Sequence, residues 1–117
     1  MARTVLIVDD HAGFRRTARR MLEAEGYEVV GEASDGRSAE AMVNELDPEV
    51  VLLDVRLPDG DGFALAPKLR QNGYGPAIVL VSSHDHSDFG AEIAASPALG
   101  FIPKGDLSGE SLEAALR

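Results

Sequence analysis

Val50-Val51-Leu52-Leu53 is an unbroken apolar run that stops on a single carboxylate, Asp54. Turn chemistry follows at once, with Pro58 and then Asp59-Gly60-Asp61-Gly62. A short apolar run of this kind, bounded by turn signals, predicts a strand buried on both faces, as in a parallel sheet. Asp54 then stands at the carboxyl end of that strand, where open α/β sheets keep their ligand sites. Taken alone, a strand-ending Asp is the plainer reading. The rest of the chain decides whether it is more.

The same pattern recurs from end to end. Thr4-Val5-Leu6-Ile7-Val8 is a strand-like run that ends on Asp9-Asp10. Phe14, Ala18, Met21 and Leu22 then fall on one face of a helix that Gly26 closes. Residues 27–33 read as a second, more polar strand nearer a sheet edge, and Ser34-Asp35-Gly36 turns the chain. Ala39, Met42, Val43 and Leu46 mark a second helix, stopped by Asp47-Pro48. After the central run, a helix is expected over 62–72 with Pro67 inside it and Gly73 and Gly75-Pro76 ending it; the sequence does not place its start. Ala77-Ile78-Val79-Leu80-Val81 is a fourth strand ending on Ser82-Ser83. Residues 87–95 carry few apolar positions and predict a loosely held helix. Residues 99–102 form a short fifth strand before Pro103-Lys104-Gly105, and Ser108 is the N-cap of a last helix bearing Leu112, Ala115 and Leu116.

Five β-α repeats predict an α/β fold: a parallel five-stranded sheet sandwiched between helices, with right-handed crossovers. At 117 residues the chain reads as one domain spanning 1–117, with no second domain within it. A formal net charge of -9 argues against direct nucleic-acid binding, which normally needs a basic surface. The absence of cysteine removes disulfide and thiolate-metal chemistry and suits a cytoplasmic protein. There is no signal-peptide pattern and no apolar run long enough to cross a membrane, so no membrane association is expected.

In a parallel sheet all the carboxyl ends of the strands lie along one edge. Asp9, Asp10, Asp54, Ser82 and Lys104 are therefore expected around one crevice. Three carboxylates so close repel one another, and a hard divalent cation relieves that repulsion. Magnesium takes oxygen ligands, keeps waters and uses one or two carboxylates beside a phosphate oxygen. Asp10 and Asp54 are expected as direct ligands and Asp9 as a water-mediated one. Lys104 would meet a phosphoryl oxygen as a point charge, and the Ser82 hydroxyl would donate to another. Such a set stabilises a phosphoryl-transfer transition state, with a carboxylate as nucleophile and an aspartyl-phosphate as product.

The joint spacing of Val8-Asp9-Asp10-His11, Leu53-Asp54, Pro58 to Gly62, Val81-Ser82-Ser83 and Gly100-Phe101-Ile102-Pro103-Lys104 resembles that of the response regulator receiver domains of two-component signalling. The resemblance covers essentially the whole chain. It implies the flavodoxin-like strand order 2-1-3-4-5. It implies that Asp54 accepts a phosphoryl group from a sensor histidine kinase or histidine phosphotransfer protein, with Mg2+ required. The backbone carbonyl of Arg56 would complete the metal shell. Ser82 and Phe101 would act as the switch, remodelling the face made by the fourth helix, fifth strand and fifth helix. The resemblance further implies a signalling module rather than a turnover enzyme. Many receivers have Thr where this chain has Ser82, Tyr where it has Phe101, and Pro where it has Gly105. Arg56 and Val30-Gly31-Glu32-Ala33 resemble the subgroup usually fused to a C-terminal helix-turn-helix; with no output domain following, the expectation is a stand-alone or truncated receiver.

Arg15, Arg16, Arg19 and Arg20 put four of the 11 basic residues on one helix. A solvated face and a docking strip for an acidic partner are about equally good readings. His84 and His86 read as loop or helix-start residues rather than metal ligands, and His11 as a helix-start residue beside the acidic pair. The Asp59-Gly60-Asp61-Gly62 run lacks the later ligands of a calcium-binding loop. Two alternatives share the residues. A magnesium-dependent phosphatase with an Asp nucleophile, of the haloacid-dehalogenase type, would need Asp-x-Asp after the first strand and a cap domain. A degenerate receiver acting only as a binding module would not need the full set of Asp10, Asp54, Ser82 and Lys104.

Overall fold

The computed structural model describes residues 3–70, 75–83 and 88–117. Five strands, β1 (Thr4–Val8), β2 (Glu28–Ala33), β3 (Val50–Asp54), β4 (Ala77–Ser82) and β5 (Gly100–Pro103), form one sheet. Every pairing is parallel, as the alternation of elements predicts, and the spatial order is β2-β1-β3-β4-β5, the order the family resemblance implies. The chain starts near the middle, winds outward to β2, returns across β1 to β3 and winds outward again. This reversal opens a crevice above the ends of β1 and β3.

Alternation along the strands divides the apolar residues between two faces. Val5 and Ile7 of β1, Val50 and Leu52 of β3, and Val79 and Val81 of β4 pack with Ala18 and Leu22 of α1 (Ala12–Ala24) and Leu112 of α5 (Gly109–Leu116). Leu6, Val8, Val51, Leu53, Ile78 and Leu80 face the other way. They meet Ala39 of α2 (Gly36–Leu46) and Leu65, Ala66 and Leu69 of α3 (Gly62–Leu69). Because β3 is the central strand, all five of its residues are buried, and truncating a wholly buried Leu52 or Leu53 to Ala costs about 2–5 kcal/mol.

The ends of the helices follow local chemistry. Asp35 caps α2 by accepting from the Ser38 N–H at 2.7 Å, and Asp47 ends it in the left-handed conformation. Ser108 and Ser111 cap α5 reciprocally, in line with the sequence reading. Asp61 caps α3 through the Ala64 N–H at 2.8 Å, which fixes the helix start at Gly62 and puts Pro67 inside it. The proline leaves the Phe63 carbonyl without its helical N–H, and α3 stops at Leu69, short of the expected 72. Gly73 lies outside the described residues. Within the segment expected over 87–95, the described residues form an α-helix from Gly90 to Ala95, here α4, which buries none of its residues. Residue 87 and both His84 and His86 lie outside the described residues. No helix among the described residues is long and apolar enough to cross a membrane.

Candidate functional site

Asp9 follows β1 directly, Asp54 is the last residue of β3, and both are buried. The register places β1 and β3 side by side, Val8 against Leu53, so the two carboxylates emerge at the same rim. Both lie on the sheet face that α1 and α5 cover, since they continue the alternation of Val5 and Ile7 and of Val50 and Leu52. Lys104 opens a short 3-10 turn after β5, and its side chain reaches back across β4. Its ammonium stands 2.5 Å from Asp9 Oδ2 and 3.4 Å from Asp54 Oδ2, and lies 4.5 Å from the centre of the Phe14 ring. Phe14 projects from α1, so the cation is held by the aromatic face as well as by the anions.

The remaining contacts fix the two acids. The Arg56 N–H donates to Asp54 Oδ1 at 3.3 Å. The His11 N–H donates to Asp9 Oδ1 at 2.8 Å, and Arg15 Nη1 donates to the Asp9 carbonyl at 2.6 Å. Asp10 is more open, with its side chain 37% exposed, and its Oδ1 lies 3.1 Å from His11 Nδ1. Burial raises the Asp54 carboxyl above the ordinary Asp range. The neighbouring Asp9 charge adds to that rise, and Lys104 and the Arg56 N–H work against it.

Gly62 makes room for this arrangement. A Cβ there would lie 2.5 Å from the Asp54 carbonyl oxygen, and the Gly62 N–H donates to the Val55 carbonyl at 2.7 Å. The Asp-Gly repeat thus lets α3 begin against the backbone of the β3 end. Asp59 acts outside the crevice: its carboxylate accepts from the Gly36 and Arg37 N–H groups at 2.8 and 3.1 Å, holding the start of α2. Those two hydrogen bonds lower its carboxyl below the ordinary range. Spacing alone could not reveal this role, because the partners are more than twenty residues away in sequence.

One ligand atom from each of Asp9, Asp10, His11 and Asp54 lies within 4.8 Å of all the others. Three of these donors are carboxylates, the set a hard divalent cation prefers. Asp9 Oδ2 is also a buried oxygen on which no hydrogen-bond donor is aligned, although Lys104 Nζ is close. Three carboxylates converging at one rim supply the oxygen donors that magnesium takes, so these residues fit that ion. The sequence marks His11 only as a helix-start residue. It is the N-cap of α1, and its ring also joins the cluster.

Ser82 ends β4, buried, and is aligned with Pro103 across the sheet. Phe101 is half-buried and faces Phe89, whose ring centroid is 6.1 Å away; Phe89 in turn lies 5.6 Å from Phe63. The row of three rings joins the start of α3 to α4 and β5, which sequence periodicity has no means of revealing.

The four arginines of α1 divide into two pairs. Arg15 and Arg19 turn toward β2, where both bind Glu32, at 3.1 and 2.5 Å. Arg19 also donates to the Val29 carbonyl at 3.2 Å. Arg16 and Arg20 are exposed. A uniform strip is therefore not formed: half of it is engaged within the fold.

Comparison with known proteins gives a consistent result. A family model described as "Response regulator receiver domain" matches residues 5–117. The chain is 36% identical to the positive alginate biosynthesis regulatory protein of Pseudomonas aeruginosa, over 97% of this chain and 45% of that one. It is 38% identical to the nitrate/nitrite response regulator protein NarP of Escherichia coli, over 97% of this chain and 53% of that one. The chain spans about half the length of the curated relatives it matches. The signal receiver domain of the putative response regulator NarL from Mycobacterium tuberculosis superposes with a TM-score of 0.84 at 30% identity, covering 98% of this chain and 97% of that one.

Proposed function

Since the chain belongs to the response regulator receiver domain family, we propose that it is a phosphorylation-switched receiver whose acceptor is Asp54. The observation that carries the proposal is the position of Lys104 Nζ, within 3.4 Å of both the Asp9 and Asp54 carboxylates at the rim where β1 and β3 end. A carboxylate at a strand end, flanked by a fixed ammonium and two further acids, is equipped for in-line phosphoryl transfer.

Asp54 attacks phosphorus through one carboxylate oxygen. The new bond is P–O, and the bond that breaks is P–N of a phosphohistidine on the donor kinase or phosphotransfer protein. The departing imidazole takes up a proton. The Arg56 N–H orients the Asp54 carboxylate. Lys104 is placed to exchange part of its contact with Asp9 for an oxygen of the transferred group, and the Ser82 hydroxyl would donate to another. Asp9, Asp10, Asp54 and the Arg56 carbonyl would hold Mg2+, and the bound ion would offset the charge gathered on the phosphoryl oxygens.

The buried state of the Asp54 carboxylate supports a switch. A phosphoryl group there carries more negative charge than the acid it replaces, and favours any arrangement that brings Ser82 and Lys104 to it. Phe101, Phe89 and Phe63 form the packed row through which such a change would reach α4 and β5. α4 buries no residue, so little packing opposes its movement.

Intact mass after incubation with acetyl phosphate and Mg2+ tests the proposal. One phosphoryl addition is expected, lost in EDTA and absent in Asp54→Ala. An addition that survives Asp54→Ala would reject Asp54 as the acceptor. The phosphatase alternative predicts turnover of a phosphomonoester, and the binding-module alternative predicts no addition at all.

A further inference from the structure

We propose that Asp59 is a positioning residue for the acceptor site: by clasping the first turn of α2 it holds the hairpin that presents Arg56 to Asp54. The inference rests on the acceptor reading above and adds to it how the loop beyond β3 is kept in place. Arg56–Leu57 and Gly60–Asp61 form a short antiparallel ladder, with Arg56 opposite Asp61 and Leu57 opposite Gly60. Pro58 and Asp59 are its tip. At its base the Arg56 N–H donates to Asp54 Oδ1 at 3.3 Å, and the Arg56 carbonyl is the group assigned above to Mg2+. A tilt of the tip therefore moves both Arg56 groups relative to the acceptor.

Little else holds that tip. Within the hairpin only Leu57 is partly buried, against the core on the α2 and α3 side, and its other residues are exposed. A cleft of about 270 Å3, with Arg37, Glu40 and Lys68 on its walls, opens between the hairpin and these two helices. A ladder so short is not stable by itself. The two Asp59 bonds are the tether: Oδ1 accepts from the Gly36 N–H at 2.8 Å and Oδ2 from the Arg37 N–H at 3.1 Å. Each is strengthened by the charge of the carboxylate.

The start of α2 is suited to this clasp. Its first turn carries no acid of its own, so Asp59 supplies the negative charge that a helix N-terminus favours. The cap residue Asp35 takes the Ser38 N–H and leaves the first two N–H groups of the helix to Asp59. Position 36 is glycine, where a Cβ would lie 3.2 Å from Asp59 Oδ1. The anchor is also fixed relative to the acids, because the carbonyl of Ala33, at the end of β2, accepts from the Asp9 N–H at 3.0 Å. The loop that carries Arg56 and the strand end that carries Asp9 thus share one support, the turn from β2 into α2.

The test compares the full chain with its Asp59→Ala, Asp59→Asn and Asp35→Ala variants, at a temperature where circular dichroism shows all four folded. Asp59→Ala is expected to lower Mg2+ affinity in calorimetry about tenfold. It should also slow uptake from acetyl phosphate and shift the Arg56 amide resonance of the metal-free protein. Asp59→Asn, which keeps one acceptor oxygen, should fall between Asp59→Ala and the wild type. Asp35→Ala strips a cap from the same helix without touching the hairpin. It should lower the melting temperature yet leave the Arg56 resonance in place and Mg2+ affinity within about twofold. An unmoved Arg56 resonance with unchanged Mg2+ affinity in Asp59→Ala would overturn the inference and leave Asp54 standing as the acceptor. Equal losses of Mg2+ affinity in Asp59→Ala and Asp35→Ala would also overturn it, as the sign of a general weakening of α2. A wild-type chain that takes up neither Mg2+ nor a phosphoryl group overturns the acceptor reading and this inference with it.

Discussion

Lys104 stands nearer to Asp9 than to the acceptor: its Nζ is 2.5 Å from Asp9 Oδ2 and 3.4 Å from Asp54 Oδ2. The lysine thereby compensates a wholly buried acid, and a phosphoryl group on Asp54 would have to redistribute that contact.

Lys104→Met, which keeps an unbranched side chain of similar length without the charge, should therefore weaken the fold in EDTA. Removing one partner from a buried ion pair leaves the other charge uncompensated, and costs about 3–5 kcal/mol in well-buried cases; with Lys104 itself 16% exposed, the lower end is expected. Adding Mg2+ should restore part of the loss. Urea denaturation with and without Mg2+ measures both. Equal stability of the two proteins in EDTA would mean that the pair contributes nothing.

Asp59 gives a pH signature. Its folded carboxyl is lowered by the hydrogen bonds from the Gly36 and Arg37 N–H groups. A lowered folded value means that the unfolded chain binds the proton first. The stabilising contribution is thus full above the unfolded Asp value near ~3.9, and is lost as pH falls through the folded one. Asp59→Asn should lower the melting temperature at neutral pH and flatten the acid limb of the stability profile. Thermal melts from neutral pH down to about pH 3 would show parallel curves for the two proteins if Asp59 made no such contribution.

Gly62→Ala should disturb the acceptor rather than only the helix. The added methyl meets the Asp54 carbonyl oxygen at 2.5 Å and the Val55 Cα at 3.2 Å, both backbone atoms with no free side chain to yield. Overpacking of this kind costs about 1–3 kcal/mol. Slower uptake from acetyl phosphate should accompany it. Backbone NMR shifts confined to α3, with Asp54 and Val55 unmoved, would contradict the steric argument.

The α1 arginines should separate by face. Arg16→Glu with Arg20→Glu should leave stability within about 0.5 kcal/mol, as exposed substitutions usually do, while slowing phosphotransfer from a kinase that docks there. Arg19→Ala should instead lower stability by about 1 kcal/mol through loss of Glu32 and the Val29 carbonyl. Comparison of kinase-driven and acetyl phosphate-driven rates separates docking from chemistry; a slowing common to both donors would count against docking.

The parallel sheet was legible because its signal is local. Apolar runs such as Val5 to Val8 and Val50 to Leu53, each followed by a helix-period segment, leave few other arrangements with short connections. The rim location of Asp9, Asp54, Ser82 and Lys104 follows from that sheet alone, since parallel strands end on one side. The cap at Ser108 was legible for the same reason, donor and acceptor being three residues apart, whereas Asp35 reads from sequence only as part of a turn. Less was legible where local preference was weak. The end of α3 depended on where Asp61 caps it and on Pro67, and the start of α4 on packing that the sparse apolar residues of that segment do not specify.

What the sequence by itself determined was therefore which elements form, that their strands run parallel, and which side chains share an edge, because periodicity and turn chemistry act over a few residues; the order of pairing came only with the family resemblance. What only the tertiary structure decided was how those side chains divide their contacts. Lys104 favours Asp9, Arg15 and Arg19 turn to Glu32 while Arg16 and Arg20 face outward, Asp59 holds the start of α2, and the His11 ring joins the acids. Each of these depends on distances of a few ångströms between side chains whose positions are set by the packing of the whole core rather than by any local run of residues.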